Sequence, residues 1–319
     1  MRELIAPALA AGFLLDLLVG DPEWFPHPVR LIGRYIAAME KWLRRHVRRL
    51  RVAAVFLTVS TVALTMGVTA LVLALLSRLG RWPLLLGMTV CCWLSLSVKC
   101  LAQEANGVRR ALETGLEHGR RQVARIVGRD TASLSREEIL RATIETVAEN
   151  ATDGVLSPML FFALGGPVAA MGFKAASTLD SMVGYLNEKY RDIGWSSARL
   201  DDVLNFVPAR LCAALLCAAA YLCGLDGANA ARIVKRDHRN HKSPNCAWSE
   251  AAAAGALHIQ LGGTHSYFGV PVEKPTIGDD GRPPETVDIA RMNRMLYVAA
   301  ALGCAAAVLV RTLFVIGFV

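Results

Sequence analysis

The sequence predicts an all-α, polytopic integral membrane protein with about four to six apolar helices, some of them re-entrant, plus cytoplasmic helical and loop segments. Three observations predict it. Hydrophobic residues make up 54% of the 319, and the mean hydropathy is +0.37. Val52 to Ser77 is a run of 26 residues without a charge, ample for a ~30 Å hydrocarbon core at ~1.5 Å per residue. Gly154 to Phe173 is an uncharged run of 20 with ionisable residues crowded at both ends, and such groups beside hydrocarbon mark a pathway or a site.

Taken in order, Leu4 to Leu15 is a weak apolar run cut by Asp16. A signal peptide is the rival reading, with Arg2 before it and Ala8-Leu9-Ala10 as a cleavage site. The apolar stretch ahead of that site is very short, and the run continues past it, so a retained segment is expected. Asp21-Pro22, Pro26-His27-Pro28 and Gly33 form a turn-rich stretch. A helix then leads to Arg44, Arg45, Arg48, Arg49 and Arg51. These stand directly before the best span, a positive-inside signal that puts them in the cytoplasm. They suit lipid head groups, not nucleic acid.

Trp82 to Val98, a second run of 17 residues, is near the lower limit for a span. It returns the chain, so Lys99 to Asp153 falls on the cytoplasmic side, where Arg109, Arg110, Arg120, Arg121, Arg125 and Arg129 agree with that orientation. Leu101, Ala105, Val108, Leu112 and Leu116 recur at helical spacing and predict an amphipathic helix. Ser135-Arg136-Glu137-Glu138 fits a capping box that starts the next one. Leu211 to Leu225 reaches span length only with Arg210 drawn in. Asp226 to Arg294 is polar, and Pro271, Pro275, Pro283 and Pro284 predict a loop-like later half. Met295 to Val319, interrupted only by Arg311, is a third span. The chain thus reads as a single membrane domain: a helical hairpin over 52–98, a cytoplasmic helical segment over 99–153, a broken-helix core over 154–225, a cytoplasmic polar segment over 226–294 and a C-terminal span over 295–319.

The eight cysteines contain no CxxC, and most lie in apolar runs, where Cys behaves as a small hydrophobe. Other constellations carry more chemistry. Arg141, Glu145, Glu149 and Asp153 recur every four residues and share a face if the helix persists. Carboxylates so arranged could bind magnesium with nucleotide phosphates; a solvated face bridged to Arg141 is the other reading, and spacing leaves both open. If Gly154 to Phe173 were straight, Asp153 and Lys174 would lie ~30 Å apart. Pro158, Gly165, Gly166 and Pro167 permit a bent path. Lys174, Asp180, Ser181, Tyr185 and Glu188 are placed on one short helix, followed by Asp201, Asp202 and Asn205. Lys174 could steady a phosphate or form surface ion pairs. Arg210, inside apolar sequence, calls for a partner or a ligand. His238 and His241 beside Asp237 could suit a metal, although surface or phosphate contacts fit a pair without a further ligand better. Gly262-Gly263 could cradle a phosphate, but neither GxxxxGK[ST] nor GxGxxG occurs.

Several longer strings go further. Gly20-Asp21-Pro22, His27-Pro28-Val29, Gly128-Arg129-Asp130-Thr131, Glu145-Thr146-Val147-Ala148-Glu149-Asn150, Thr178-Leu179-Asp180-Ser181-Met182-Val183-Gly184-Tyr185, Ser243-Pro244-Asn245-Cys246-Ala247-Trp248-Ser249-Glu250, Ile259-Gln260-Leu261-Gly262-Gly263 and Tyr267-Phe268-Gly269 together resemble the CobD/CbiB family, from about residue 12 to 280. The resemblance implies an adenosylcobinamide-phosphate synthase of cobalamin synthesis, which joins adenosylcobyric acid to (R)-1-amino-2-propanol phosphate as an amide at the expense of ATP, with Mg2+. It implies a multi-pass protein of the cytoplasmic (inner) membrane with its active site facing the cytoplasm. Both flanks of Gly154 to Phe173 would then open to that side, that run and Leu204 to Cys223 dipping in as a broken pair. A transporter or a non-catalytic membrane sensor is the alternative.

Chemistry and motif position then assign roles. Glu145, Glu149 and Asp153 are candidate magnesium ligands or base, and Lys174, Arg199 and Arg210 candidate phosphate partners. Asp180, Asp201 and Asp202 are further acid or metal candidates. Asn245, Glu250 and Lys274 would face the corrinoid or the aminopropanol phosphate, with Tyr185, Asn205, Arg236, His241 and Ser243 as further substrate contacts. The expected partners are the corrinoid and amine substrates and membrane lipid, with no nucleic acid; a homodimer or association with other cobalamin-assembly enzymes is compatible with the sequence.

Overall fold

The computed structural model describes residues 2–22, 24, 26–185, 187–267 and 269–316. Phe268 of the Tyr267-Phe268-Gly269 string and the last three residues of the C-terminal run lie outside the described residues. The helices are α1 (Ile5–Val19), α2 (Pro28–His46), α3 (Leu50–Arg78), α4 (Arg81–Trp93), α5 (Val98–Thr114), α6 (Leu116–Val123) and α7 (Arg136–Ala151). A π-helical turn (Thr152–Leu156) leads to α8 (Ser157–Val183), α9 (Trp195–Leu204), α10 (Phe206–Leu222), α11 (Gly227–Asp237) and α12 (Cys246–Leu257). Strands β1 (Leu261–Tyr267) and β2 (Val270–Ile277) precede α13 (Thr286–Ile316). The predicted all-helical class holds. Four stretches are long and apolar enough to cross a membrane, Leu50–Arg78, Arg81–Thr114, Arg136–Val183 and Thr286–Phe314, or five if α9 and α10 form one broken span.

The chain divides into two compact units. The first comprises Met1–Ser97, Ser157–Asn205 and Cys304–Val319. Its core joins Ile32, Ile36 and Leu43 of α2, Ala53 and Leu57 of α3, Ala175, Leu179 and Val183 of α8, and Ile193. Only 17% of the most apolar window of α3 is buried, and Val52, Phe56, Val59, Val68 and Leu71 point outwards. An exposed face of that kind is stable only against hydrocarbon or a partner. α1 continues through Asp16, which is buried, so the charge that cuts the apolar run does not end the helix. The Trp82 to Val98 run does break: α4 stops at Trp93, and Leu94 to Ser97 is non-helical. α8 is broken as its breakers predict, at Gly166 (φ 70°, ψ −164°), a backbone state that only glycine adopts freely; Pro167 then sits at the start of the second half, where a missing N–H costs nothing. The helix ends at Val183, so Tyr185 and Glu188 lie beyond it, not on the helix that carries Lys174 and Asp180.

The second unit comprises Val98–Leu156 and Phe206–Gly303. α5 buries Leu101, Ala105, Val108 and Leu112 as its spacing predicts. Gly115 (φ 148°) then ends that register, so Leu116 starts α6 instead of extending the stripe. The capping box of α7 is complete: the Glu138 N–H donates to Ser135 Oγ (3.3 Å), and the Ser135 N–H to Glu138 Oε2 (2.7 Å). Part of the segment expected to be loop-like is instead the antiparallel β1–β2 hairpin. A two-stranded sheet has only edge strands, so Pro271 and Pro275 fit in β2 without breaking an interior ladder.

Candidate functional site

In the second unit, residues far apart in sequence meet around the C-terminal half of α7. Glu145, 6% exposed, pairs with the guanidinium of Arg129, 9% exposed. Its other oxygen, Oε1, accepts the Gly262 N–H at 2.8 Å. One turn on, Glu149 Oε1 accepts the Cys246 thiol at 3.2 Å. α12 starts at Cys246 and carries Glu250 one turn later on a buried face. β2 brings Lys274, whose Nζ lies 3.5 Å from His241 Nε2. His241 Nδ1 in turn accepts the Ser243 N–H at 3.0 Å, and Ser243 Oγ accepts the Asn245 N–H at 3.3 Å. The Ser243-to-Glu250 string is therefore a polar turn feeding a helix whose first two turns carry the cluster's thiol and one of its carboxyls.

Crowding sets the electrostatics. Burial, then the neighbouring Glu145 and Glu149, holds the Glu250 carboxyl well above its ordinary range, against the pull of Lys274 and Arg129. Burial and then Lys274 lower His241, while Glu149 and Glu145 oppose them. Burial, followed by Glu149, Glu250 and Asp153, pushes the Cys246 thiol well up, so it serves as a donor and not as a thiolate. Four carboxyl groups, Glu145, Glu149, Asp153 and Glu250, thus share the cluster with two basic side chains, Arg129 and Lys274.

The solvated-face reading of Glu145 is overturned. Arg141 pairs with Glu137 (3.7 Å), and Glu145 is buried against Arg129. The four-residue register also stops short of Asp153, because α7 ends at Ala151 and the π-turn adds a residue to the turn. Among the described residues no three His, Cys, Asp or Glu side chains converge as a metal centre. Both oxygens of Glu145 are engaged by Arg129 and Gly262, which explains why three carboxyls on one helix make no ready chelate. His238 packs at a tilt against Trp248 (ring centroids 4.4 Å apart) and its Nδ1 lies 3.0 Å from the Val234 carbonyl. Arg210 gives its guanidinium to the Phe206 carbonyl and packs over the Phe206 and Trp248 rings, 3.5 and 4.7 Å from their centroids. Arg236 grips Asp237 (2.6 and 2.7 Å) and Asp279 (2.5 Å); Asp237 also accepts the Gly278 N–H (2.8 Å), so this network ties α11 to the end of β2.

The first unit gathers the other candidates. Lys174 Nζ donates to the Ser95 carbonyl (3.2 Å), one of the backbone groups left open by the break after α4. His27 caps α2 by accepting the Val29 N–H (3.2 Å) and lies 3.6 Å from Asp21; burial lowers its basicity, and Lys174 adds to that against the pull of Asp21. Trp93 Nε1 donates to the Gly20 carbonyl (2.9 Å). The strings containing Asp21 and His27 therefore converge on the same break as Lys174. Asn205 is buried, accepting from Ser157 Oγ (2.6 Å) and donating to Asp201 (2.9 Å). Arg199 lies 3.8 Å from Asp202 at the surface. Asp180 closes the end of α8, its carbonyl accepting the Gly184 N–H (2.7 Å).

Arg129 and Cys246 in the second unit, and Asp21 and His27 in the first, are the candidate residues that spacing alone missed. All four stand inside the strings quoted above, and that is the signal that could have found them.

A family model described as CobD/Cbib protein matches residues 9–296. The chain is 48% identical to a cobalamin biosynthesis protein CobD of Citrobacter koseri, covering 97% of this chain and 98% of that one. It is 49% identical to the CobD of Klebsiella pneumoniae (93% and 95%) and 46% identical to that of Listeria monocytogenes (92% and 94%). No solved structure matches.

Proposed function

The chain belongs to the CobD/CbiB family, and on that premise we propose that it makes an amide in cobalamin biosynthesis, joining adenosylcobyric acid to (R)-1-amino-2-propanol phosphate at the expense of ATP. The observation that carries the chemistry is the buried cluster of Glu145, Glu149, Glu250, Arg129, His241 and Lys274. Amide formation from an activated carboxyl needs a group to receive the proton of the attacking amine and cations to hold phosphate. Glu149, which accepts a hydrogen bond from the Cys246 thiol, is the candidate base. Lys274 is the candidate phosphate partner, and Arg129 with the Gly262 N–H fixes Glu145 beside them. The oxygen-rich donor set, with more carboxyls than cations, fits Mg2+, which takes one or two carboxylates and fills its shell with water and phosphate oxygens. Asp153 would hold it, and it would offset phosphate charge.

We place the site on the cytoplasmic side of the inner membrane. The arginines before α3 and along α5 and α6 support that orientation, so a single cysteine at Asn187 in a cysteine-free background should resist impermeant thiol reagents added to intact cells. The deciding experiment uses purified protein with Glu149→Gln beside it. ADP or phosphate should appear only when corrinoid acid and amine are both present, and Glu149→Gln should abolish it. Nucleotide turnover without both substrates would sink the proposal, as would substrate flux into liposomes with no nucleotide consumed, the behaviour of a transporter.

A further inference from the structure

The hairpin brings two groups to the carboxyl cluster, the Gly262 N–H at its base and the Lys274 ammonium on β2, yet it has little rigidity of its own. An isolated pair of strands is marginal in water. Here Pro271 and Pro275 each lack a donor, and the ladder slips between Leu261 and Gly263. Its position depends on external tethers. At the base these are Gly262 N–H to Glu145, Gly278 N–H to Asp237 and Asn240 Nδ2 to the Thr276 carbonyl (3.0 Å). At the far end there is Asp130. Its Oδ2 accepts both Ser266 Oγ and the Gly269 N–H at 2.7 Å, and its own N–H donates to the Ser266 carbonyl at 2.9 Å. The preceding residue, Arg129, holds Glu145. One dipeptide in the loop before α7 thus grips a carboxylate of the cluster and the tip of the hairpin.

We infer that Asp130 is a positioning residue, a latch that holds the β1–β2 hairpin, and with it Lys274, against the carboxyl cluster. For its effect on turnover the inference rests on the reading of that cluster as the reaction site. Its effect on the hairpin does not. A carboxylate taking two hydrogen bonds at one oxygen is a strong, charge-assisted tether. Losing it frees the strand ends while the base contacts keep the fold.

The test is hydrogen–deuterium exchange on the purified full-length protein, with kinetics alongside. Asp130→Ala should speed exchange of the amides in 263–273 by about tenfold or more, given the net worth of two charge-assisted bonds, with α7 and α12 unchanged. KM for the phosphorylated amine should rise severalfold with a smaller change in kcat. Asp130→Asn, which keeps an acceptor oxygen, should fall between, and Ser266→Ala should give part of the effect if Asp130→Ala folds poorly. Unchanged hairpin exchange in all three variants overturns the latch; so does a rise spread evenly over the protein, the mark of general destabilisation. A wild type without synthase activity would defeat the proposed function, and the exchange measurement would still decide the latch.

Discussion

The Arg129–Glu145 pair offers the sharpest test of whether the site is built as described. Both side chains are less than one-tenth exposed, so neither charge can fall back on water if its partner goes. Removing one member of a buried pair typically costs about 3–5 kcal/mol, because the survivor is left buried and uncompensated. Glu145 has a second bond, Oε1 to the Gly262 N–H, and a glutamine carbonyl can keep it. Glu145→Gln therefore spares the hairpin contact and takes the carboxylate from the guanidinium, whereas Arg129→Gln takes the cation from the carboxylate. In the double variant two neutral amides can bond each other, and the unpaired charge disappears. The single variants should each lose most of that about 3–5 kcal/mol. The double should recover about 2 kcal/mol or more, a coupling inside the range for residues in direct contact. Thermal unfolding in detergent, followed by intrinsic fluorescence at fixed lipid content, gives the ranking: wild type, then double, then the two singles. If the losses simply add, the two residues do not form a buried pair, and the geometry given for this site is wrong.

Three further outcomes follow from other parts of the structure. Gly262 sits at φ 79°, and a Cβ there would lie 2.4 Å from the Pro275 carbonyl oxygen; Gly262→Ala should cost more than the ~1–2 kcal/mol of the left-handed backbone alone, read as a lower melting midpoint and lost protection across the hairpin. Glu250 is held above its ordinary value by burial and by Glu145 and Glu149, so the folded state binds its proton more tightly than the unfolded chain. Its stabilising contribution is fully present below about pH 4.3, the unfolded value, and is lost as pH rises towards the folded value; Glu250→Gln should remove that loss and melt higher than wild type at pH 8. Lys41, Arg45, Arg48 and Arg49 are exposed in the residues leading into α3, and basic residues at an anionic surface are each worth up to about 1 kcal/mol; changing all four to Gln should sharply cut the phosphatidylglycerol retained over phosphatidylcholine, measured by lipid mass spectrometry.

What could be read from the sequence was local in origin. The long uncharged run of α3, the capping box of α7, the stripe of α5 and the Gly166-Pro167 break each depend on residues a few positions apart, and each is found where expected. The hairpin was not legible. Glycine and proline punctuate it so densely that propensity reads it as loop, and it is kept in place by Asp237, Glu145 and Asp130, which lie 41, 117 and 139 positions from the hairpin residues they hold. Tyr185 was misplaced for a related reason: nothing in Ser181-Met182-Val183 ends a helix, and the turn comes from Gly184 closing on the Asp180 carbonyl.

The carboxyl face of α7 shows why spacing could not choose between a solvated stripe and a site. Four-residue recurrence states that side chains share a direction, not what lies in that direction. The answer depends on Arg129, Gly262, Cys246, Glu250 and Lys274, from four other segments, and each removes water from the same patch while offering a donor, a cation or another carboxyl. A solvated stripe relieves like-charge repulsion by dielectric screening alone. This one relieves it by committing Glu145 to an arginine and holding Glu250 above its ordinary value, while Glu149 accepts a thiol. Structural ion pairs gain nothing from leaving one carboxyl so weakly tied, whereas a site that must receive a proton or a metal needs one. That asymmetry, more than the number of acids, is what supports the proposed reading of α7 as the wall of a reaction site.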